Sequence, residues 1–179
     1  MTKLSENLPI EEARERLRQL IMELAVVRGH VVLASGKEAD YYVDLRRITL
    51  HHEASRLVGQ VMLDLLDKNG IEFEAAGGLT MGADPVGTAI MRAAGDQDRA
   101  IDAFVVRKAQ KSYGMGRQVE GPSVEGRRVV AVEALRKAGA EVVAVAVIVD
   151  RATGAKEHVE EVAGVPCLYA YSKDELGLD

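Results

Sequence analysis

Apolar positions along the chain recur first at helical and then at sheet spacing. Ile10, Ala13, Leu17, Leu20, Ile21 and Leu24 fall three or four residues apart, the one-face repeat of an amphipathic helix. Asn7 stands where it can cap that helix, Pro9 suits its first turn, and Gly29 is its predicted end. Short strands are predicted at 30–33 and 41–45, on either side of a Ser35-Gly36-Lys37 turn. Leu57, Val58, Val61, Met62, Leu65 and Leu66 then repeat the helical spacing as far as Gly70.

Beyond Gly70 the rhythm alternates. Residues 74–78 predict a strand running into a loop of small residues, and Asp84 and Pro85 form a cap and first-turn pair for a helix to about residue 94. Residues 101–106 predict another strand. Residues 107–123 are polar, basic and glycine-bearing, which reads as a long loop. Residues 134–138 are helical in character with Gly139 as their stop, and 142–149 form a wholly apolar run, the strongest strand in the chain. Ser172 and Glu175 have capping-box spacing. Strands alternating with helices imply an α/β fold around a mostly parallel sheet. Ligands on such sheets sit beyond the carboxyl ends of the strands.

Composition narrows this picture. With 47% hydrophobic but only 4% aromatic residues, the core must be aliphatic, as suits a parallel sheet buried under helices. A length of 179 residues fits one domain. The net charge of −5 argues against a general nucleic-acid partner, which would need cations to neutralise phosphates. Cys167 is the only cysteine, so no internal disulfide forms and a reducing, cytoplasmic location is expected. No run approaches the ~18 apolar residues of a membrane span, so no membrane partner is expected.

Four segments could carry chemistry. In AFVVRKAQKSYGM (103–115) an apolar strand ends in Arg107, Lys108 and Lys111. Cations there can meet an anion at the sheet edge, and a mobile lysine loop can close over a leaving group. A solvated basic loop fits the same residues equally well. SGKEADYYVDLRR (35–47) places Tyr41 and Tyr42 side by side. Either ring could stack on a planar heterocycle, though an ordinary strand would also turn one in and one out. GGLTMGADPV (77–86) joins a strand to a helix through glycines, which can expose backbone N–H groups to a phosphate or serve only as a tight connection. VDRATGA (149–155) sets Arg151 just past the strongest strand. There a guanidinium could grip a carboxylate in two-pronged fashion, or merely pair with a surface acid. His30, His51, His52 and His158 have no metal-ligand spacing with Cys167 or each other, and His51 and His52 would diverge on a helix. The dinucleotide fingerprint is absent.

Together with EGPSVEGRRV (120–129) and the tail 174–179, these segments resemble the orotate phosphoribosyltransferases, especially those of actinobacteria. The resemblance runs in order from about residue 20 onward. It implies the type I phosphoribosyltransferase fold: one domain, with a helix and small hood over residues 1–47 and an α/β core over 48–179. It also implies transfer of ribose 5-phosphate from phosphoribosyl pyrophosphate to N1 of orotate, giving orotidine 5′-monophosphate and pyrophosphate in pyrimidine biosynthesis, with Mg2+ and as a homodimer. On that footing Arg107 and Lys108 bind the donor's phosphates. Lys111 is the catalytic-loop lysine that meets the pyrophosphate, Arg151 faces the orotate carboxylate, and Tyr42 and Tyr41 lie near the orotate ring. Tyr113 stands where the family usually has histidine.

One departure from the family pattern is large. After Val129-Val130 the family has two adjacent acids and then a Thr- and Gly-rich turn that cradles the donor's 5-phosphate. Here the chain passes from Val130-Ala131-Val132-Glu133 directly into Ala134-Leu135, so roughly a dozen residues of strand end, phosphate turn and helix start are missing. This favours an alternative, a non-catalytic protein of the same fold that binds a nucleotide or a partner subunit.

Overall fold

The computed structural model describes residues 7–32, 36, 38–108, 118–131 and 139–178. Helix α1 spans Ile10–Leu20 and continues into a π-helical turn, Ile21–Ala25. Its apolar face buries Ala13, Leu17, Leu20 and Ile21 against α3, Ala54–Lys68. Pro9, not Asn7, occupies the N-cap position and makes no side-chain cap bond. The helical pattern stops at Ala25 rather than Gly29, because Val26–Val32 peels away as strand β1. Its β-branched residues favour extended backbone over a continuing helix. β1 pairs antiparallel with β2, Glu38–Val43, so the first hairpin strand starts earlier than its sequence pattern suggests.

A short helix α2, Arg46–Thr49, leads to α3 and then to the six-stranded sheet. The strands are β3 (Ala75–Leu79), β4 (Asp102–Val106), β5 (Val119–Glu120), β6 (Arg128–Ala131), β7 (Glu141–Asp150) and β8 (Cys167–Ser172). Their order is β5-β4-β3-β6-β7-β8. All pairings are parallel except β4–β5. The mostly parallel α/β expectation holds. β5 interrupts what reads as one long loop, pairing Val106 with Val119 at the sheet's edge. β8, with α5 (Ala155–Ala163) before it, extends the sheet past the strongest strand.

Helix α4, Ala83–Gly95, joins β3 to β4. Gly82 takes its N-cap position, so Asp84 lies in the first turn instead of capping it. The helix lies hard on the sheet: a Cβ at Gly87 would stand 2.7 Å from the Ala76 carbonyl oxygen. β8 is tied to α1 by two bonds, Tyr171 Oη donating to the Arg14 carbonyl and the Arg14 guanidinium to that of Ala170, both at 2.8 Å. Burial pushes the Tyr171 phenol well above its ordinary pKa. Ser172 and Glu175 exchange the reciprocal bonds of a capping box, at 2.8 and 3.2 Å, around a turn rather than a helix. The 134–138 helix expectation falls outside the described residues. No described helix is long and apolar enough to cross a membrane.

Candidate functional site

The carboxyl ends of β3 and β7 and the residue after Arg107 at the end of β4 open onto one cavity of about 740 Å3, which Tyr42, Thr80, Lys108 and Arg151 help to line. Each wall has a local cause. β2 ends in Val43, and Asp44 then turns the chain. The Asp44 carboxylate accepts from the Arg46 backbone N–H at 3.2 Å and from its guanidinium at 2.8 Å. That clamp holds the Asp44 carboxyl below the usual aspartate range, the Arg46 hydrogen bonds outweighing partial burial. Alternation along β2 separates the two tyrosines. Tyr42 lines the cavity and is 37% exposed, whereas Tyr41 packs against the main core and its hydroxyl donates to the Leu178 carbonyl at 3.3 Å.

The second wall is the turn between β3 and α4. Thr80 N–H donates to the Val106 carbonyl at 2.9 Å, and Thr80 Oγ1 donates to Asp84 Oδ2 at 2.7 Å. These bonds fix residues 80–82, which lie along the cavity, at the positive end of α4. The third wall follows β7. Ala152 takes a positive φ of 52° and Gly154 one of 76°, and Asp150 Oδ1 accepts from the Ala152 N–H at 3.0 Å. The chain thus reverses tightly after Arg151 and enters α5.

Of the residues singled out in the sequence, the fold brings Tyr42, Lys108 and Arg151 to one cavity. Neither Lys108 nor Arg151 has an ion-pair or hydrogen-bond partner among the described residues, so both cations are available to an anion. Arg107 is placed differently. Its backbone N–H donates to the Gln118 carbonyl at 2.9 Å and its guanidinium reaches Glu120 at 3.4 Å, fastening β4 to β5. Lys111 and Tyr113 lie outside the described residues. The sequence reading passed over the Asp44–Arg46 clamp and the Thr80–Asp84 bond, although their spacings, i,i+2 and i,i+4 beside a strand end, carry the signal. His51 and His52 do not diverge: they precede α3 and their rings lie 4.3 Å apart. Among the described residues no group of three or more His, Cys, Asp or Glu could hold a metal.

A mostly parallel sheet whose strand ends present unpaired cations and a helix-opening turn to one cavity places the chain among α/β proteins with a site suited to a small anion. No family model matches the chain. Among known proteins it is 59% identical to the orotate phosphoribosyltransferase of Streptomyces coelicolor, over 94% of this chain and 99% of that one. It resembles the crystal structure of the Mycobacterium tuberculosis orotate phosphoribosyltransferase in complex with Fe(III) dicitrate, with a TM-score of 0.80 and 48% identity over 93% of this chain and 99% of that one. The same enzyme in complex with 5-phospho-α-D-ribosyl 1-diphosphate matches with a TM-score of 0.76 and 44% identity, over the same shares of the two chains. The chain belongs to the orotate phosphoribosyltransferase family, enzymes of the pentosyltransferase class with the type I phosphoribosyltransferase fold.

The alignment with the Streptomyces coelicolor relative also has a gap. It runs over 182 positions but covers 94% of this 179-residue chain, about 168 residues, which leaves about 14 positions without a counterpart here. That number matches the segment missing after Val130 in the sequence reading.

Proposed function

We propose that the chain transfers ribose 5-phosphate from phosphoribosyl pyrophosphate to N1 of orotate, releasing pyrophosphate and orotidine 5′-monophosphate. The observation that carries this is the convergence of Tyr42, Lys108 and Arg151 on one cavity at the carboxyl edge of the sheet. In this reading Arg151 grips the orotate carboxylate with two parallel hydrogen bonds, and Tyr42 stacks on the pyrimidine ring. Lys108, with Lys111 from the following loop, meets the donor's phosphates, while Arg107 fastens β4 to β5 beneath them. The backbone of residues 80–82 faces the departing pyrophosphate. The work is positioning and electrostatic: the base is held in line with the ribose carbon, and cations stabilise the charge that grows on the leaving group.

Magnesium enters this reading as a companion of the donor. A hard cation of this kind keeps much of its water and takes phosphate oxygens in preference to a protein cage. Bound there, it neutralises the leaving pyrophosphate. The active form is a homodimer in the cytoplasm, and the exposed apolar side chains of Leu50, Met81 and Met91 support self-association.

A second reading, a non-catalytic member of the family, is favoured by the short junction after Ala131. The two separate in one experiment: orotate consumption with phosphoribosyl pyrophosphate and magnesium, run beside orotate binding on the same protein. Turnover that needs both substrates supports the enzyme. Binding without turnover at millimolar donor supports the second reading, and no orotate binding overturns the enzyme reading.

A further inference from the structure

Arg151 is exposed, and its guanidinium has no hydrogen-bond or ion-pair partner among the described residues. A side chain without a partner of its own is aimed only as well as its backbone is held. On one side that backbone is fixed by the sheet. β7 runs to Asp150, which is still in register with Ser172 of β8, and Arg151 is the first residue off the strand. On the other side the backbone is strained. Ala152 takes a φ of 52°, in the left-handed region, where a Cβ crowds the carbonyl oxygen. A residue other than glycine stays there when its surroundings hold it. Asp150 supplies a hold: its Oδ1 accepts from the Ala152 N–H at 3.0 Å and closes a turn around Arg151.

Asp150 also lines the cavity, beside Arg151. Its charge has the wrong sign for that place, since a carboxylate next to an anion's site repels the ligand. Charge therefore gives no reason for an acid here, whereas the turn does. It needs a short side chain that carries an acceptor oxygen, which Asp and Asn both provide.

We propose that Asp150 is a positioning residue that acts through Arg151. It holds Ala152 left-handed so that the guanidinium is presented to the cavity, and it does so by its hydrogen bond and not by its charge. The inference rests on the assignment of Arg151 to the orotate carboxylate made above and adds what keeps that side chain in place. Without the bond Ala152 leaves the left-handed region most of the time. Apparent orotate affinity then falls with the fraction of molecules that still present the guanidinium, by about tenfold.

The test is calorimetric titration of the full chain with orotate, for the wild type, Asp150→Ala and Asp150→Asn, each alone and combined with Arg151→Gln. Asp150→Ala weakens orotate by about tenfold. Asp150→Asn keeps the acceptor, removes the repulsion and binds orotate at least as tightly as the wild type. Asp150→Ser, whose hydroxyl makes the same turn more weakly, falls between them and orders the series even where Asp150→Ala folds poorly. Arg151→Gln weakens orotate by itself, and Asp150→Ala then adds less than about twofold, because no guanidinium is left to aim. An Asp150→Asn that loses as much as Asp150→Ala makes the charge the determinant and overturns the inference. A loss from Asp150→Ala that persists in full beside Arg151→Gln marks general damage to the site and overturns it as well. Arg151→Gln weakening orotate while Asp150→Ala does not overturns the inference and leaves the orotate assignment standing. Orotate affinity unmoved by Arg151→Gln overturns that assignment and the inference with it.

Discussion

Two of the crossovers that connect parallel strands differ in what they have room to build. Between β3 and β4 the chain has residues 80–101, twenty-two in all, which hold a fixed turn, the thirteen-residue α4 and a return loop. Between β6 and β7 it has residues 132–140, nine in all. A crossover between parallel strands ordinarily takes at least about 10–12 residues, helix included. The first connection therefore has room for both a helix and a turn held in place by the Thr80–Asp84 bond. The second, at nine residues, is shorter than that ordinary span. The difference teaches that sheet geometry and ligand geometry have separate length requirements. β6 keeps its register with β3 and β7 through Ala131, so the short connection leaves the sheet intact.

The largest effect is expected from making the two connections alike. Inserting about fourteen residues of acid pair and Thr/Gly turn at the Val130–Ala131 bond should tighten phosphoribosyl pyrophosphate binding by about a thousandfold or more, since three or four charge-assisted hydrogen bonds contribute roughly 1.5–3 kcal/mol each. Orotate affinity should stay within about threefold, because Arg151 follows the neighbouring strand. Calorimetry with each ligand separately checks this. Donor affinity unmoved by the insertion would show that the 5-phosphate is held elsewhere, and the contrast between the two crossovers would lose its functional meaning.

A second expectation concerns the intact side. Arg151→Lys should raise the KM for orotate by about 10–100-fold and leave the donor's KM nearly unchanged, because a lysine cannot offer the two parallel donors that match a carboxylate. Steady-state kinetics with each substrate varied, on protein carrying the insertion, measures both. Harm to the donor with orotate spared would exchange the two substrates along the sheet edge. Arg151 does not depend on the missing turn, so this result also asks whether the orotate half stands alone.

How far the sequence discloses all this depends on the range of the forces involved. α3, β3 and β7 are legible because each buries a periodic or continuous apolar set, a local signal. The ends of α1 are less so. The change from helix to β1 at Val26 is decided by pairing with β2, which no window around Val26 contains. β5 is two residues long and exists through its ladder to β4, and β8 takes its place through pairing with β7 and packing on α1, including the Tyr171–Arg14 bond. In the site, Arg151 and Lys108 stand out as cations just past apolar strands. The division of labour between Tyr41 and Tyr42 does not, since alternation tells that they part but not which faces the ligand. Asp84 reads as a cap in the sequence and serves instead as acceptor for Thr80, because Gly82 starts the helix earlier.

The smallest effect belongs to the Asp44–Arg46 clamp at the cavity's edge. Arg46 holds the Asp44 carboxyl below its ordinary pKa by direct hydrogen bonding. A carboxyl depressed in the folded state contributes stability that is fully present above its unfolded pKa, about 3.9, and lost as pH falls through the folded value. The Arg46 side chain is 51% exposed, so solvent screening keeps the contribution small. Asp44→Asn should therefore lower Tm by a few degrees, with a constant difference from pH 7 down to about pH 4.5. Below that the gap should close as the wild type's own carboxyl takes up its proton. The insertion at Ala131 should leave this profile unchanged, since the clamp follows β2 and shares no partner with β6. Thermal melts of both proteins across pH 2.5–7 decide the matter. A gap that closes above pH 5 would mean that the carboxyl is not held down by Arg46, and a gap that depends on the insertion would mean that the two sides of the cavity are not independent.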